Sequence, residues 1–308
     1  MRELIDEQLL TNNEQRLMES SEILKKLRRI ELRTKNLSTQ LFSGDYSSIF
    51  RGKGMTFNSV RAYTYGDDVR NIDWNVTART GHPYIKIFEE ERELSLMFLI
   101  DVSGSTFFGT QRQFKIDMMT EICATLAFSA AQNNDKTGAI FYGASLEKYI
   151  PLKKGRDNIL RFIQTFLSLK SANVETHLEK SITYLNTTLK NRSVVFIISD
   201  FISDGYAKAL QHCATKHDVI CISVSDKTDR ALPFIGTINV TDAETGKTFK
   251  INTNDSDITN PFTRYYAERQ NYLDQAVKSA GASLIFLDTT DDYVKTLQQF
   301  FNNRRNRR

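Results

Sequence analysis

Apolar residues follow two different periods along the chain, and the change of period divides it. From residue 95 onward, short apolar runs alternate with longer segments in which apolar side chains recur every three or four positions. Nearly continuous apolar runs are typical of parallel strands that are buried on both faces. The predicted strands are Leu96–Ile100, Gly138–Tyr142, Val194–Ile198, Val219–Val224 and Ser283–Leu287. Strands that alternate with amphipathic helices predict an α/β fold with a doubly wound, mostly parallel sheet over residues 95–308.

Two further patterns refine this domain. Between the strands, apolar stripes at helical spacing predict helices, and the first stripe consists of Phe114, Met118, Ile122, Leu126 and Ala130. Farther along, two alternating segments, 238–240 and 249–251, flank a turn that contains Gly246. They predict a β-hairpin inserted into the α/β domain at about residues 228–257.

The first 94 residues show other patterns. Residues 1–39 carry apolar side chains at helical spacing, and basic residues dominate the second half of this predicted helix. Basic side chains there predict either a solvated helix face or a surface for an acidic partner or anionic lipid. Residues 40–94 combine frequent glycines with short aromatic and charged stretches, including the alternating segment Tyr84–Phe88. Strands and turns are therefore expected in this region.

Composition narrows the class of protein. The 308 residues exceed the size at which one core stops growing, so an extension beside the main domain is expected. Four of the last five residues are arginines, which equals the formal net charge of +4. A basic tail (304–308) on a neutral body argues against a domain-wide nucleic-acid surface.

Cys123, Cys213 and Cys221 form no C-x-x-C pair, and no apolar run is long enough for a bilayer span. We therefore expect a soluble cytoplasmic protein with reduced cysteines.

Oxygen-bearing side chains follow two of the predicted strands. Asp101, Ser103 and Ser105 come directly after the first strand, and Asp200 follows the third. Because the carboxyl ends of parallel strands meet at one edge of a sheet, these groups are expected to lie together. Carboxylate and hydroxyl oxygens are the ligands that Mg²⁺ or Mn²⁺ prefers. The alternative is a turn without an ion, in which Ser105 caps the next helix.

This pattern resembles the metal-ion-dependent adhesion site of von Willebrand factor A domains. Those domains place Asp-x-Ser-x-Ser after the first strand, a threonine in a loop between helices and an aspartate after the fourth strand. The resemblance assigns the threonine to Thr176, just before the apolar stripe that begins at Leu178. It implies a von Willebrand factor A-like fold and a Mg²⁺ or Mn²⁺ ion held by Asp101, Ser103, Ser105, Thr176 and Asp200.

A more specific resemblance covers residues 25–308. The chain resembles the bacterial domain of unknown function 58 family, most of all in the string Gly66-Asp-Asp-Val-Arg-Asn-Ile-Asp-Trp74. Other matching segments are Phe50-Arg-Gly-Lys-Gly54, Thr77-Ala-Arg79, Phe88-Glu-Glu-Glu-Arg92, Phe196-Ile-Ile-Ser-Asp-Phe201 and Asp242-Ala-Glu-Thr-Gly246. The resemblance implies a von Willebrand factor A-like domain with an N-terminal extension. It also implies frequent association with MoxR-type AAA+ ATPases.

Other chemistry finds less support. No Gly-x-Ser-x-Gly elbow surrounds Ser103 or Ser105, and the four histidines lack the H-E-x-x-H spacing of a zinc site. Asp67, Asp68 and Asp73 form either a second acidic site or a set of turn and ion-pair residues beside nearby arginines.

The sequence therefore predicts a metal-dependent protein-binding module that is not an enzyme. Its partner would present an acidic residue to the ion, and the resemblance points to a MoxR-type ATPase. Two alternatives remain open. One is a metal-dependent hydrolase that uses the same ion, and the other is a nucleic-acid-associated factor that acts through the basic segments.

Overall fold

In the computed structural model, the structure describes residues 22–34, 37, 56–89, 93–107, 114–169, 177–241 and 247–306. A helix over residues 22–34 (α1) comes first. The strands are β1 (Thr56–Ala62), β2 (Tyr84–Glu89), β3 (Ser95–Asp101), β4 (Lys136–Tyr142), β5 (Leu146–Lys153), β6 (Val194–Ser199), β7 (Asp218–Ser225), β8 (Thr237–Thr241), β9 (Thr248–Asn252) and β10 (Ser283–Asp288). The further helices are α2 (Trp74–Thr80), α3 (Lys115–Gln132), α4 (Arg156–Ser168), α5 (Leu178–Thr188), α6 (Ala207–Lys216), α7 (Lys227–Arg230), α8 (Ser256–Ala280) and α9 (Tyr293–Asn306).

The central sheet has six strands in the order β10-β7-β6-β3-β4-β5. The first five of these are parallel to their neighbours, and β5 pairs antiparallel with β4 at the edge. The predicted doubly wound, mostly parallel α/β fold is therefore confirmed. The five predicted strands are all present, whereas β5 was not predicted.

Each face of the sheet is covered by its own apolar core. On one face, alternate residues of β3 such as Phe98 and Ile100 pack against α3, α4, α9 and Ile30 of α1. On the other face, Met97 and Leu99 pack against α5, α6 and α8. Because both faces of β3 are buried, its sequence is apolar throughout, which is the reason that periodicity revealed it.

The predicted hairpin insert is also present. β8 and β9 pair antiparallel, with Ile238 opposite Ile251 and Val240 opposite Phe249. The two strands form a separate two-stranded sheet between β7 and α8, as the alternating pattern predicts. No helix in the described ranges is long and apolar enough to cross a bilayer.

The basic side chains of α1 take part in internal ion pairs. Lys26 contacts Asp117 of α3, and the Arg33 guanidinium lies 2.8 Å from a carboxylate oxygen of Glu121 on the same helix. These ion pairs hold α1 against α3. They also neutralise positive charge that could otherwise bind a nucleic acid or an anionic lipid. This part of the predicted basic segment therefore serves intramolecular packing.

The prediction of a basic tail over residues 304–308 is wrong for Arg304. Arg304 belongs to the last turn of α9, and its guanidinium pairs with Asp218 at the start of β7. Only 18% of the Arg304 side chain and 13% of the Asp218 side chain are exposed. A four-residue register along α9, Tyr293, Leu297 and Phe301, anchors this helix to the core and carries Arg304 to β7.

Deletion of residues 304–308 is expected to lower Tm by several degrees, whereas deletion of 305–308 changes it little. The longer deletion leaves Asp218 without its guanidinium partner, a loss of about 1–3 kcal/mol for a largely buried pair, or roughly 2–4 °C per kcal/mol in a domain of this size. Thermal unfolding of both truncations beside the full chain measures the difference. Equal Tm values for the two truncations would contradict the structural role of Arg304.

Asp135 is a buried carboxylate directly before β4. It lies at the amino end of the parallel strands, whereas the predicted site lies at their carboxyl end. One carboxylate oxygen accepts the backbone N–H of Leu94 at 2.8 Å, and no hydrogen bond to the other oxygen is present among the described residues. Burial raises the pKa of Asp135 to about 7, although the Leu94 hydrogen bond lowers it. The folded protein therefore holds a proton here that the unfolded chain loses near pH 4.

Asp135→Asn is accordingly expected to raise stability at pH 8 by about 1–3 kcal/mol and to change it little at pH 4–5. The folded pKa lies above the unfolded one, so the wild type loses stability as the pH rises from about 4 to 7, whereas asparagine has no charge to bury. Denaturant unfolding at several pH values measures this. Glu147→Gln, on the exposed edge strand, serves as the control, and its profile should run parallel to that of the wild type. A parallel profile for Asp135→Asn would exclude the buried-charge explanation.

Candidate metal-binding edge of the sheet

Asp101 and Asp200 lie at the same edge of the sheet, as predicted. Asp101 is the last residue of β3, and Asp200 directly follows β6. The two strands are parallel neighbours, with Ile100 beside Ile198. Asp101 is fully buried, and Asp200 is 4% exposed. The carboxyl ends of the two central strands thus bring two buried carboxylates together.

The Asp101 carboxylate is held by two donors, one in the loop after β3 and one at the end of β6. Its Oδ1 accepts the backbone N–H of Ser103 at 2.9 Å, and its Oδ2 accepts the Ser199 hydroxyl at 2.6 Å. The Ser199 Oγ in turn accepts the backbone N–H of Phe201 at 2.9 Å. Ser199 therefore links the loop after β3 to the loop after β6.

The two predicted serine ligands face each other. Ser103 is buried, Ser105 is half-buried, and their hydroxyl oxygens are 3.1 Å apart. Residues Gly104–Phe107 form a 3₁₀ turn, and α3 begins only at Lys115 without a side-chain cap. Ser105 therefore does not cap the next helix, and that part of the alternative is wrong. Thr176 lies outside the described residues.

Backbone strain accompanies the site. Phe201, next to Asp200, has a φ of 57°, which is the left-handed region that side chains other than glycine seldom adopt. Its ring is buried and packs against Tyr206 at 6.0 Å between centroids. Packing of this ring holds the backbone in a conformation that costs roughly 1–3 kcal/mol. Strain of this kind is frequent where a loop must present a functional group.

Burial and charge together raise the pKa of Asp101 to about 6. The largest cause is loss of solvent around the carboxylate, and the next is the negative charge of Asp200; the hydrogen bonds from Ser199 and Ser103 act in the opposite direction. Two buried carboxylates that repel each other favour a cation between or beside them.

Lys115 is a buried cation in this cluster that sequence reasoning missed. Its side chain is 1% exposed, and its ammonium nitrogen lies 3.1 Å from Asp200 Oδ2 and 3.0 Å from Asp229 Oδ2. Burial alone would lower the pKa of Lys115, but the two carboxylates raise it above its ordinary value. The ammonium group is therefore a permanent positive charge beside Asp200.

A sequence signal for Lys115 did exist. Lys115 lies three and four residues before the buried Met118 and Met119, which is the spacing of the apolar face of α3. Phe114, which the predicted stripe placed on that face, is instead 52% exposed. A lysine at an apolar position of a helix indicates a buried partner of opposite charge.

The described residues fit a divalent cation in their chemistry. Asp101, Ser103, Ser105 and Asp200 supply hard oxygen atoms, the donor type that Mg²⁺ and Mn²⁺ prefer. Three carboxylates (Asp101, Asp200 and Asp229) and one ammonium group leave two negative charges in the cluster, which one divalent ion balances. Within the described ranges, no group of three or more His, Cys, Asp and Glu side chains is placed to hold a metal ion. The predicted site needs only two such residues, because its other ligands are hydroxyls.

The other acidic cluster has a structural role. Asp67 binds the Arg61 guanidinium through both carboxylate oxygens, at 2.8 and 2.6 Å. Asp68 pairs with Arg70, and Asp73 caps α2 by accepting the backbone N–H of Asn75 at 3.0 Å. The ion pair with Arg61 holds the pKa of Asp67 well below its usual range. The interpretation as turn and ion-pair residues is thus confirmed, and the second acidic site is not.

Strand order, a mostly parallel sheet and the Asp-x-Ser-x-Ser loop at its edge define a von Willebrand factor A-like α/β domain. The family model described as "Protein of unknown function DUF58" matches residues 59–272, and the chain belongs to this family. Uncharacterized proteins of Mycobacterium bovis and Mycobacterium tuberculosis are each 30% identical to it over 284 residues, which cover 91% of this chain and 89% of the relative.

Solved structures show more distant similarity. BatB from Bacteroides thetaiotaomicron aligns with 68% of this chain and 98% of its own, at 16% identity and a TM-score of 0.45. An aerotolerance-related membrane protein from Bacteroides fragilis aligns with 70% of this chain and 100% of its own, at 15% identity and a TM-score of 0.45.

Proposed function

We propose that this protein is a Mg²⁺- or Mn²⁺-dependent protein-binding module, not an enzyme, which acts in the cytoplasm as an adaptor of a MoxR-type AAA+ ATPase in the assembly or maturation of a complex. The observation that carries the proposal is the pair of buried carboxylates, Asp101 and Asp200, beside two facing serine hydroxyls at one edge of the sheet.

Each proposed ligand has a distinct task. Asp101, fixed by Ser103 and Ser199, supplies a buried negative charge, and Asp200 supplies a second from the neighbouring strand. Ser103 and Ser105 add neutral oxygens, and Thr176 is assigned a third by the family resemblance. A bound ion would supply an open coordination position for a carboxylate of the partner.

Charge explains why the partner should present an acidic residue. Without a divalent cation, Asp101 and Asp200 repel a further carboxylate, because the repulsion between like charges at contact distance is strong in a buried site. Binding should then depend both on the ion and on the acid. The choice of a MoxR-type ATPase rests on the family resemblance.

The alternatives have less support from the described residues. A hydrolase needs a general base, but Asp101 and Asp200 are already proposed as ligands, and Asp229 pairs with Lys115. A nucleic-acid-binding role needs free basic side chains, yet Lys26, Arg33 and Arg304 are paired with carboxylates of the same chain.

The test is capture of a purified MoxR-type ATPase from the same organism on immobilised protein. We expect capture with Mg²⁺ or Mn²⁺, loss of capture in EDTA, and recovery when the ion is restored. Equal capture with and without EDTA would overturn the metal-dependent mechanism. Turnover of phosphoesters with Mg²⁺ or Mn²⁺ would favour the hydrolase, and steeply salt-dependent binding of nucleic acid would favour the third alternative.

A further inference from the structure

The ammonium group of Lys115 joins two loops at the proposed metal-binding edge. It lies 3.1 Å from Asp200 in the loop after β6 and 3.0 Å from Asp229 in α7, the short helix after β7. The residue itself is the first of α3 and is fully enclosed. A single buried cation therefore connects a proposed metal ligand to a segment that contains none.

Hydrogen bonds extend this connection along the edge. Asp229 Oδ2 also accepts the backbone N–H of Asp226 at 2.8 Å, and Asp226 Oδ2 accepts the hydroxyl of Thr289 at 2.7 Å, just after β10. At the other end, Ser199 joins the Asp200 loop to Asp101. The ends of β3, β6, β7 and β10 thus share one continuous polar network, with Lys115 at its centre.

Each carboxylate oxygen of Asp200 accepts a hydrogen bond from the protein in this arrangement. Its Oδ2 pairs with Lys115, and its Oδ1 accepts the backbone N–H of Ile202 at 3.2 Å. A metal ion that uses Asp200 must share this carboxylate with the ammonium group, and two cations close to one carboxylate repel each other. Asp229 offers the ammonium group a second place to pair.

We propose that Lys115 is an internal cation that competes with the divalent ion for Asp200, and that it ties the β7–α7 loop to this carboxylate when no ion is bound. The proposal deepens the proposed function and rests on it for the identity of the site. When Asp200 turns to a divalent ion, Lys115 pairs mainly with Asp229. Metal occupancy and the position of residues 226–230 are then coupled through one side chain, which acts as a positioning residue.

The test is direct binding of Mn²⁺ alone. Electron paramagnetic resonance measures the concentration of the ion that remains free. Lys115→Met removes the competing cation, so Mn²⁺ should bind roughly tenfold or more tightly than to the wild type. If Lys115 had only a structural role, its loss would leave the affinity for Mn²⁺ unchanged or lower it. Lys136→Met is the matched control, because Lys136 pairs with Glu93 at the amino end of the parallel strands, away from the proposed site. The affinity of this variant for Mn²⁺ should equal that of the wild type.

A double variant separates occupancy of Asp200 from net charge. Lys115→Met combined with Asp229→Asn restores the charge of the cluster to that of the wild type but leaves Asp200 without the ammonium group. Mn²⁺ binding tighter than in the wild type supports competition at Asp200, whereas equal binding overturns it. If the single variant does not fold, Asp229→Asn alone keeps the proposal testable. The ammonium group then stays on Asp200, so Mn²⁺ should bind more weakly, and unchanged affinity overturns the proposal.

The outcomes distinguish this inference from the proposed function. Binding by Lys115→Met but not by the wild type supports competition and overturns a metal-dependent role for the natural protein. Binding by the wild type that is unchanged or weaker in Lys115→Met overturns competition and leaves the proposed function standing. Absence of Mn²⁺ binding in both overturns both. In EDTA, hydrogen exchange over residues 226–230 should be faster in Lys115→Met, and unchanged exchange overturns the tie to the loop.

Discussion

Replacing Asp101 by asparagine is expected to abolish metal-dependent capture of the partner while the fold remains intact. Asparagine keeps an acceptor for the backbone N–H of Ser103 and fills the same volume, but it has no charge for a divalent ion. The loss of affinity should exceed the 10- to 100-fold that is typical when only an outer-shell partner of a metal site is removed. The measurement is capture of the purified ATPase in Mg²⁺, with circular dichroism to verify the fold.

A matched control is available on the same edge of the sheet. Asp288 ends β10 and is also buried, but its carboxylate pairs with Arg230. Asp288→Asn should leave capture unchanged. Thr176→Ala should weaken capture less than Asp101→Asn, because water can replace a neutral oxygen ligand. Full capture by Asp101→Asn in Mg²⁺ would mean that the proposed site does not mediate binding.

Phe98→Ala is expected to destabilise the protein by about 3–5 kcal/mol, the usual cost of emptying a buried aromatic position. The Phe98 ring is fully buried in the centre of the sheet, and it stacks against Phe162 of α4 and Phe196 of β6, each at 5.4 Å between centroids. Its loss removes contacts both to the helix layer and to the neighbouring strand that carries the site. Denaturant unfolding measures the change.

Phe286→Ala provides the contrast. Phe286 lies on β10, the outermost strand on the side of the sheet away from β5, and is 48% exposed. Because nearly half of the residue is already exposed to solvent, truncation should cost less than about 1 kcal/mol. Similar losses for the two variants would indicate that the face-specific core described for β3 does not dominate stability.

Sequence patterns predicted the five parallel strands of the central sheet and missed β5, its antiparallel edge strand. β3 and β6 are apolar in nearly every residue, since each position contacts one of the two cores. In β5, by contrast, only Ile150 is buried, and the strand contains Pro151. An edge strand with one pairing partner tolerates such a sequence, so neither an apolar run nor a strict alternation was there to be found.

The site was predictable only in the part that belongs to local segments. Asp101, Ser103 and Ser105 share one loop, and Asp200 follows an obvious strand, so topology alone placed the carboxylates together. Ser199 and Lys115 acquire their roles from contacts between distant segments. Ser199 reaches Asp101 from the neighbouring strand, 98 residues later in the chain, and Lys115 reaches Asp200 from a helix 85 residues earlier. No periodicity reports such contacts, although a lysine on an apolar helix face was a usable hint.

The proposed metal site can form only after β3 has paired with β6 during folding. Ile100 lies beside Ile198 in the finished sheet, so nearly a hundred residues separate the two central strands along the chain. Contacts of such long sequence separation slow folding, because the intervening loop must close before they form. On the ribosome, the Asp101 loop will emerge well before Ser199 and Asp200 are synthesised. A nascent chain arrested before β6 should therefore lack the assembled cluster, and divalent-ion binding during synthesis should begin only after residue 200 has left the exit tunnel.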